Sequence, residues 1–169
     1  MAAKIETYKK KYMLAAIDAA RGTKIFPQTI IVASALESNY GNSDLAKKDN
    51  NFFGIKGKGR AYKTKEQIGN KLVTITANFK TYPTVQDSFK DYVRLLQTNR
   101  YKKAGVLNAT TPKQQFAAIK RGGYATDANY INKLNSIYNA IPVNENKINL
   151  LYGLLLAFIL VEIIPEKND

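Results

Sequence analysis

Apolar positions recur at helical spacing over most of this chain and at strand spacing over one stretch near its middle. Ile5, Tyr8, Tyr12, Ala15, Ala16 and Ala19 mark one face of a helix over residues 3–20, with Lys9, Lys10 and Lys11 largely off that face. Arg21-Gly22-Thr23 closes it. The next run is apolar almost all round, through Ile30, Ile31, Ala33, Ala35 and Leu36, and predicts a deeply buried helix. Pro27 opens it, since a first-turn residue has no helical partner for its N–H. Gly41 permits a sharp exit, and Ser43 caps a short helix holding Leu45 and Ala46. The Gly- and Lys-rich residues 54–59 predict a loop.

The period then changes. Val73, Ile75 and Ala77 alternate with Thr74, Thr76 and Asn78, which is strand spacing. Gly69-Asn70 supplies a hairpin turn, with residues 62–68 as the partner arm. Helical spacing returns at Thr84–Gln97, where Thr84 and Asp87 form a variant capping box and Val85, Phe89, Tyr92, Val93 and Leu96 face inward. Thr111-Pro112 opens a helix with Phe116 and Ile119 inside, and Gly122-Gly123 ends it. Thr126 or Asp127 caps a last helix, whose buried face carries Tyr130, Ile131, Leu134, Ile137, Tyr138 and Ile141. The pattern predicts an α+β protein, mainly helical, with a small β-hairpin lobe.

Residues 142–147 read as a polar linker to an apolar helix at 148–164. That helix is at the bottom of the range for spanning a bilayer, about 17 residues. Two readings of it compete, a membrane anchor and a helix packed on the domain or a partner. The N-terminus lacks the apolar run of a secretory signal.

Composition narrows the chemistry. Among 169 residues there is no Cys and no His. Disulfides, thiolate zinc sites and His-based nucleophilic catalysis are therefore excluded, and neither a metal nor a cofactor is expected. Acid–base work falls to carboxylates, Lys or Tyr. The 26 Lys and Arg against 13 Asp and Glu give a net charge of +13. So basic a surface suits a polyanion, but no nucleic-acid motif accompanies it.

One carboxylate stands out. Glu37 ends the most apolar helix, where burial and the negative dipole end both favour its neutral form. A carboxylic acid still protonated near neutral pH is what a general acid needs. The bland alternative is a surface Glu that merely terminates a helix.

Glu37 and the twenty residues after it carry a resemblance. Glu37-Ser38-Asn39-Tyr40-Gly41, then Ser43, Leu45-Ala46 and Asn50-Asn51-Phe52-Phe53-Gly54-Ile55-Lys56-Gly57, resembles the signature of the bacterial and phage peptidoglycan N-acetylglucosaminidases. This glycoside hydrolase family includes flagellar muramidase-like domains and many autolysins. Tyr124-Ala125-Thr126-Asp127 matches it too. Two positions depart: the family usually has Gly at Asn39 and Trp at Tyr40. Asn is the non-glycine residue that best tolerates unusual backbone angles.

The resemblance covers about residues 8–141 and implies a lysozyme-like domain over 1–141. It implies cleavage of the β-1,4 bond after N-acetylglucosamine in the peptidoglycan glycan strand. Glu37 would be the general acid, with Glu66 on the hairpin as the second carboxylate and Tyr124 beside the scissile sugar. Glu66 would activate water, or the substrate's acetamido group would take that role. Tyr40 and Phe53 would pack on sugar faces and Asn51 would bind an acetamido group, although Tyr40 and Asn51 also suit packing and loop fixing. The expected partners are the glycan strand and anionic envelope polymers, with a membrane contact through 148–164 in the anchor reading. The expected place of action is the cell envelope, or the wall reached by phage delivery. The rivals are a non-catalytic peptidoglycan-binding module and a basic nucleic-acid-binding protein.

Overall fold

Helix α2 (Pro27–Glu37) is buried without a break from Pro27 to Ala35, and the rest of the fold is arranged around it. In this computed structural model residues 2–68 and 71–140 are described, with the backbone alone for 2–5, 65–68, 71 and 72. Helices α1 (Ala2–Ala20), α4 (Val85–Leu96), α6 (Pro112–Arg121) and α7 (Tyr130–Ala140) pack directly on α2. Ile30, Ile31 and Val32 are wholly buried. Each contributes about 1.5–3 kcal/mol relative to exposure. A helix so enclosed cannot show an amphipathic stripe, which is why its pattern reads as one apolar block. Its polar Ser34 is satisfied inside the core: it accepts from the Tyr8 hydroxyl at 2.8 Å and donates to the Ile31 carbonyl at 2.9 Å.

The expected caps form. Ser43 accepts from the Ala46 amide and opens α3 (Asp44–Asp49). Thr84 and Asp87 make a reciprocal capping box at the start of α4, and Thr111 caps α6. Two elements leave no legible signal in the sequence: α5 (Asn99–Lys103) and a 3-10 turn at Val106–Asn108. Each buries a single large residue, Tyr101 and Val106, too little to produce a periodic pattern. Gln115 leaves none either. Wholly buried on α6, it accepts from the Phe26 amide and donates to the Lys24 and Val106 carbonyls, fixing the entry into α2.

Strands β1 (Gly59–Ile68) and β2 (Lys71–Lys80) form an antiparallel hairpin whose register pairs Ile68 with Lys71 and Glu66 with Val73. The alternation in β2 does not mark a core face, because Val73 is 38% exposed. Among the described side chains of the hairpin only Phe79, at its base, is buried. The expected turn at Gly69-Asn70, Ile141, the linker 142–147 and the apolar segment 148–164 lie outside the described residues. Among the described residues no helix is long and apolar enough to cross a membrane.

Candidate active site

Glu37 is the last residue of α2, Ser38 is its C-cap, and the chain turns off through the left-handed Asn39. Asn39 has φ 49°, the Tyr40 amide bonds back to the Ala35 carbonyl at 2.8 Å, and the Asn39 amide to Leu36 at 3.3 Å. This is a Schellman closure with Asn in the position that glycine usually takes. The buried Ser38 locks it. Its hydroxyl donates to the Ser34 carbonyl and accepts from the Gly41 amide at 2.7 Å, and its carbonyl accepts from Ser43. Gly41, at φ 75°, lies 3.4 Å from Phe52 and Tyr12 at the point where a Cβ would stand. The acid is thus presented by a rigid stem and a tightly bonded turn.

Three tyrosines surround the acid. Tyr92 of α4, Tyr124 and Tyr130 of α7 all feel the Glu37 charge, and burial pushes each phenol above its ordinary value. Their rings are mutually packed, Tyr92 against Tyr124 edge-on at 5.5 Å and Tyr124 against Tyr130 at 6.1 Å. Loss of water in this enclosure raises the Glu37 carboxyl to about 7. Two groups oppose that rise: the Tyr130 hydroxyl and, more weakly, the Lys133 ammonium. The Tyr130 hydroxyl is buried without a partner in full hydrogen-bond geometry, so its approach to Glu37 favours the anion without saturating it. Glu37 itself stays partly exposed. Lys133 is tied to Asp127 at 2.7 Å.

Tyr124 lies within electrostatic reach of Glu37. Its hydroxyl donates to the Phe53 carbonyl at 2.9 Å. The loop that carries it is pinned by Arg100, which donates to the Gly122 and Gly123 carbonyls, and by Lys120, which donates to the Ala125 and Asp127 carbonyls.

Other expected site residues are placed elsewhere. The Phe53 ring is 3% exposed and stacked at 4.0 Å on Tyr92, so neither face is open to a sugar; its part is to hold Tyr124 by its carbonyl. Asn51 is 1% exposed, and its amide is committed to Ile55 and to the Lys80 carbonyl, which corrects its reading as an acetamido ligand. Tyr40 faces a separate cavity rather than the tyrosine enclosure. Glu66 lies on β1 by its backbone, and its side chain is outside the described residues.

One carboxylate that sequence reasoning misses organises the hairpin. Asp49, at the end of α3, is 1% exposed. It accepts from the Tyr62 hydroxyl, from Arg60 Nε at 3.2 Å and from Thr81 Oγ1 at 2.9 Å, and its carbonyl accepts from the Tyr82 amide. The Tyr62 hydroxyl is foremost among the groups holding its pKa below the ordinary range. Asp91 on α4 adds a second tether, accepting from Lys80 Nζ at 2.8 Å and the Tyr82 hydroxyl at 2.7 Å. Arg60 and Tyr62 belong to β1, whereas Lys80, Thr81 and Tyr82 lie at the end of β2 or just beyond it, so the two carboxylates grip both legs of the hairpin. The sequence signal is Asp49 itself, an acid directly before Asn50-Asn51, with its partners far away in the chain.

A mainly helical domain with a small two-stranded hairpin lobe places the chain in the lysozyme-like class of glucosaminidase domains. Within that class the chain belongs to the glucosaminidase family described as mannosyl-glycoprotein endo-beta-N-acetylglucosaminidase, which matches residues 13–142. It is 35% identical over 129 residues to the exo-glucosaminidase LytG of Bacillus subtilis, covering 72% of this chain and 46% of that protein. It is 34% identical over 148 residues to a probable N-acetylmuramidase of Lactococcus lactis, covering 79% of this chain and 34% of that protein. The chain therefore spans less than half the length of these curated relatives. Among solved structures it resembles the catalytic domain of the autolysin Auto from Listeria monocytogenes, with TM-score 0.69 and 35% identity over 82% of this chain and 86% of that one.

Proposed function

We propose that this chain is a peptidoglycan hydrolase that cleaves the β-1,4 bond after N-acetylglucosamine, with Glu37 as the general acid. The observation that carries the reading is a carboxyl raised to about 7, at the rigid end of a buried helix, in an enclosure of three tyrosines. At neutral pH about half of such a carboxyl holds its proton. Glu37 protonates the leaving oxygen as the glycosidic bond breaks. The resulting carboxylate is then favoured by the Tyr130 hydroxyl and Lys133, which ease proton release without holding the resting group ionised.

Glu66 completes the reaction from the hairpin. It activates water on the opposite face, or the substrate's own acetamido group takes that role. Tyr124, braced on the Phe53 carbonyl, borders the scissile sugar. The surface charge of +13 draws the enzyme to anionic envelope polymers. The place of action is the cell wall, with the apolar segment 148–164 as a membrane anchor. Fractionating cells that express the full chain and a version ending at Asn146 tests the anchor. If both versions are soluble and monomeric without detergent, the segment is no anchor.

Relatives named as glucosaminidase and as probable muramidase both match this chain, so the bond is the point to test. Mass spectrometry of digested, purified peptidoglycan identifies the sugar at each new reducing end. N-acetylglucosamine there supports the proposal. N-acetylmuramic acid there refutes the bond assignment, and an absence of new ends leaves a binding module.

A further inference from the structure

A cavity of about 770 Å³ borders the turn after Glu37 through Tyr40, Gly41 and Asn42, and neither Glu37 nor any of its three tyrosines lines it. This volume is in the range of ordinary ligand sites. Phe52 is part of its buried floor, and the partly exposed rings of Tyr12 and Tyr40 line it. Tyr12 meets Phe52 edge-on at 4.9 Å, and Tyr40 meets Tyr8 edge-on at 5.8 Å, so both rings are fixed. Lys11 and Lys47 stand on the rim, and none of the described lining residues is acidic.

The backbone gives an independent indication. Among the described residues Asn39, Tyr40 and Asn50 are the non-glycine positions with positive φ. Two of them, Tyr40 and Asn50, line this cavity, and the third adjoins it. A left-handed asparagine is common, but a tyrosine at φ 56° is not. Such strain gathers where a side chain must be aimed for a purpose.

We propose that this cavity is a second saccharide site, which takes a carboxylate-bearing hexosamine of the glycan strand. Fixed aromatic faces suit the apolar faces of sugar rings, and the Asn42 Oδ1 at the edge can accept from an acetamido N–H or a hydroxyl, while its Nδ2 is given to the Asn39 and Tyr40 carbonyls. The two lysines supply the complement to a carboxylate. A polyphosphate chain would use the lysines and leave the aromatic walls without a role. The choice of glycan rests on the hydrolase reading. Tyr40 is then a binding residue, but for a sugar remote from the bond that breaks.

The test uses the full chain carrying Glu37→Gln, to suppress turnover, and follows backbone amide shifts by NMR. The probe is a tetrasaccharide of alternating N-acetylglucosamine and N-acetylmuramic acid with free carboxylates. Neutral chitotetraose and poly(glycerol phosphate) are the comparisons. The expected result is that the carboxylate-bearing probe shifts the amides of Lys11, Tyr40, Asn42 and Lys47. Added Lys11→Ala and Lys47→Ala should weaken that binding roughly tenfold, the loss of two partly screened charge contacts. Chitotetraose should bind the cavity several-fold more weakly, since it lacks the charge. Shifts confined to the Glu37 enclosure overturn the proposal, as does unchanged affinity in the lysine variants or displacement by poly(glycerol phosphate) alone. Hydrolysis by the wild-type chain is scored separately. Cavity binding without hydrolysis would count against the enzyme reading only, and hydrolysis without cavity binding against the second site only.

Discussion

The Tyr124 hydroxyl donates to the Phe53 carbonyl at 2.9 Å, across 71 residues of sequence. This bond joins the loop before α7 to the loop after α3, and it places a phenol beside the acid at the end of α2. The two motifs that look independent along the chain meet through it. Removing it by Tyr124→Phe should reduce turnover on peptidoglycan while leaving the fold intact, because the ring contacts with Tyr92 and Tyr130 remain. A net hydrogen bond of about 1 kcal/mol is lost, so the melting temperature should drop by only a few degrees. Unchanged turnover would remove Tyr124 from the site.

The raised carboxyl sets the pH dependence. Glu37 must be protonated to act, so turnover should fall as pH rises through about 7. Stability should change in the same direction. A carboxyl whose folded value lies above its unfolded one, near 4.5, stabilises the fold below that value and loses the contribution as pH rises to about 7. Glu37→Gln should therefore be more stable than wild type at pH 8, by roughly 3 kcal/mol. Denaturant titrations at pH 5 and pH 8 measure this. Equal stability differences at both would show that Glu37 is not perturbed.

Tyr130 and Lys133 both lower the Glu37 value, so removing either should raise it. Tyr130→Phe and Lys133→Ala should each move the alkaline limb of the rate profile upward, with Tyr130→Phe giving the larger movement. A limb that stays in place in both variants would mean that neither group faces the acid.

Asp49→Asn should loosen the hairpin and little else. Its partners Arg60, Tyr62 and Thr81 lie at the hairpin base, and none belongs to α2 or α4. Hydrogen exchange should quicken in β1 and β2 and stay near wild type in α2 and α4. If Asp49 acts by positioning Glu66, the activity losses of Asp49→Asn and Glu66→Gln should not add in the double variant. Additive losses would limit Asp49 to a structural part.

The central helix and its acid are legible in the sequence because α2 is apolar on every side and ends in one carboxylate. The caps at Ser43, Thr84 and Thr111 are legible because capping is local chemistry of neighbouring residues. Phe53 and Asn51 mislead because their surroundings are set by distant partners, Tyr92 and Lys80, that no local pattern reveals. Asp49 escapes notice for the same reason. Its carboxylate partners lie 11 to 32 residues away. The alternation in β2 does mark a strand, yet spacing alone cannot tell a covered face from an open one, and Val73 is open. Tyr92 and Tyr130 are recognisable as core positions. That both feel the charge of one acid is visible only once α4 and α7 are folded onto α2.

Glu66→Gln bears on the second carboxylate. Turnover should fall, and by less than with Glu37→Gln if the substrate's acetamido group takes over its role. Activity indistinguishable from wild type would return Glu66 to the solvated charges of the hairpin.

The role of Glu37 is tested most directly by the number of new reducing ends that Glu37→Gln releases from purified peptidoglycan, measured by mass spectrometry beside the wild type. The substitution keeps the shape of the side chain and removes the proton that breaks the bond. With a normal fold by circular dichroism, release should fall at least about a hundredfold. Release near the wild-type rate from the folded variant would contradict the assignment of Glu37 as the acid.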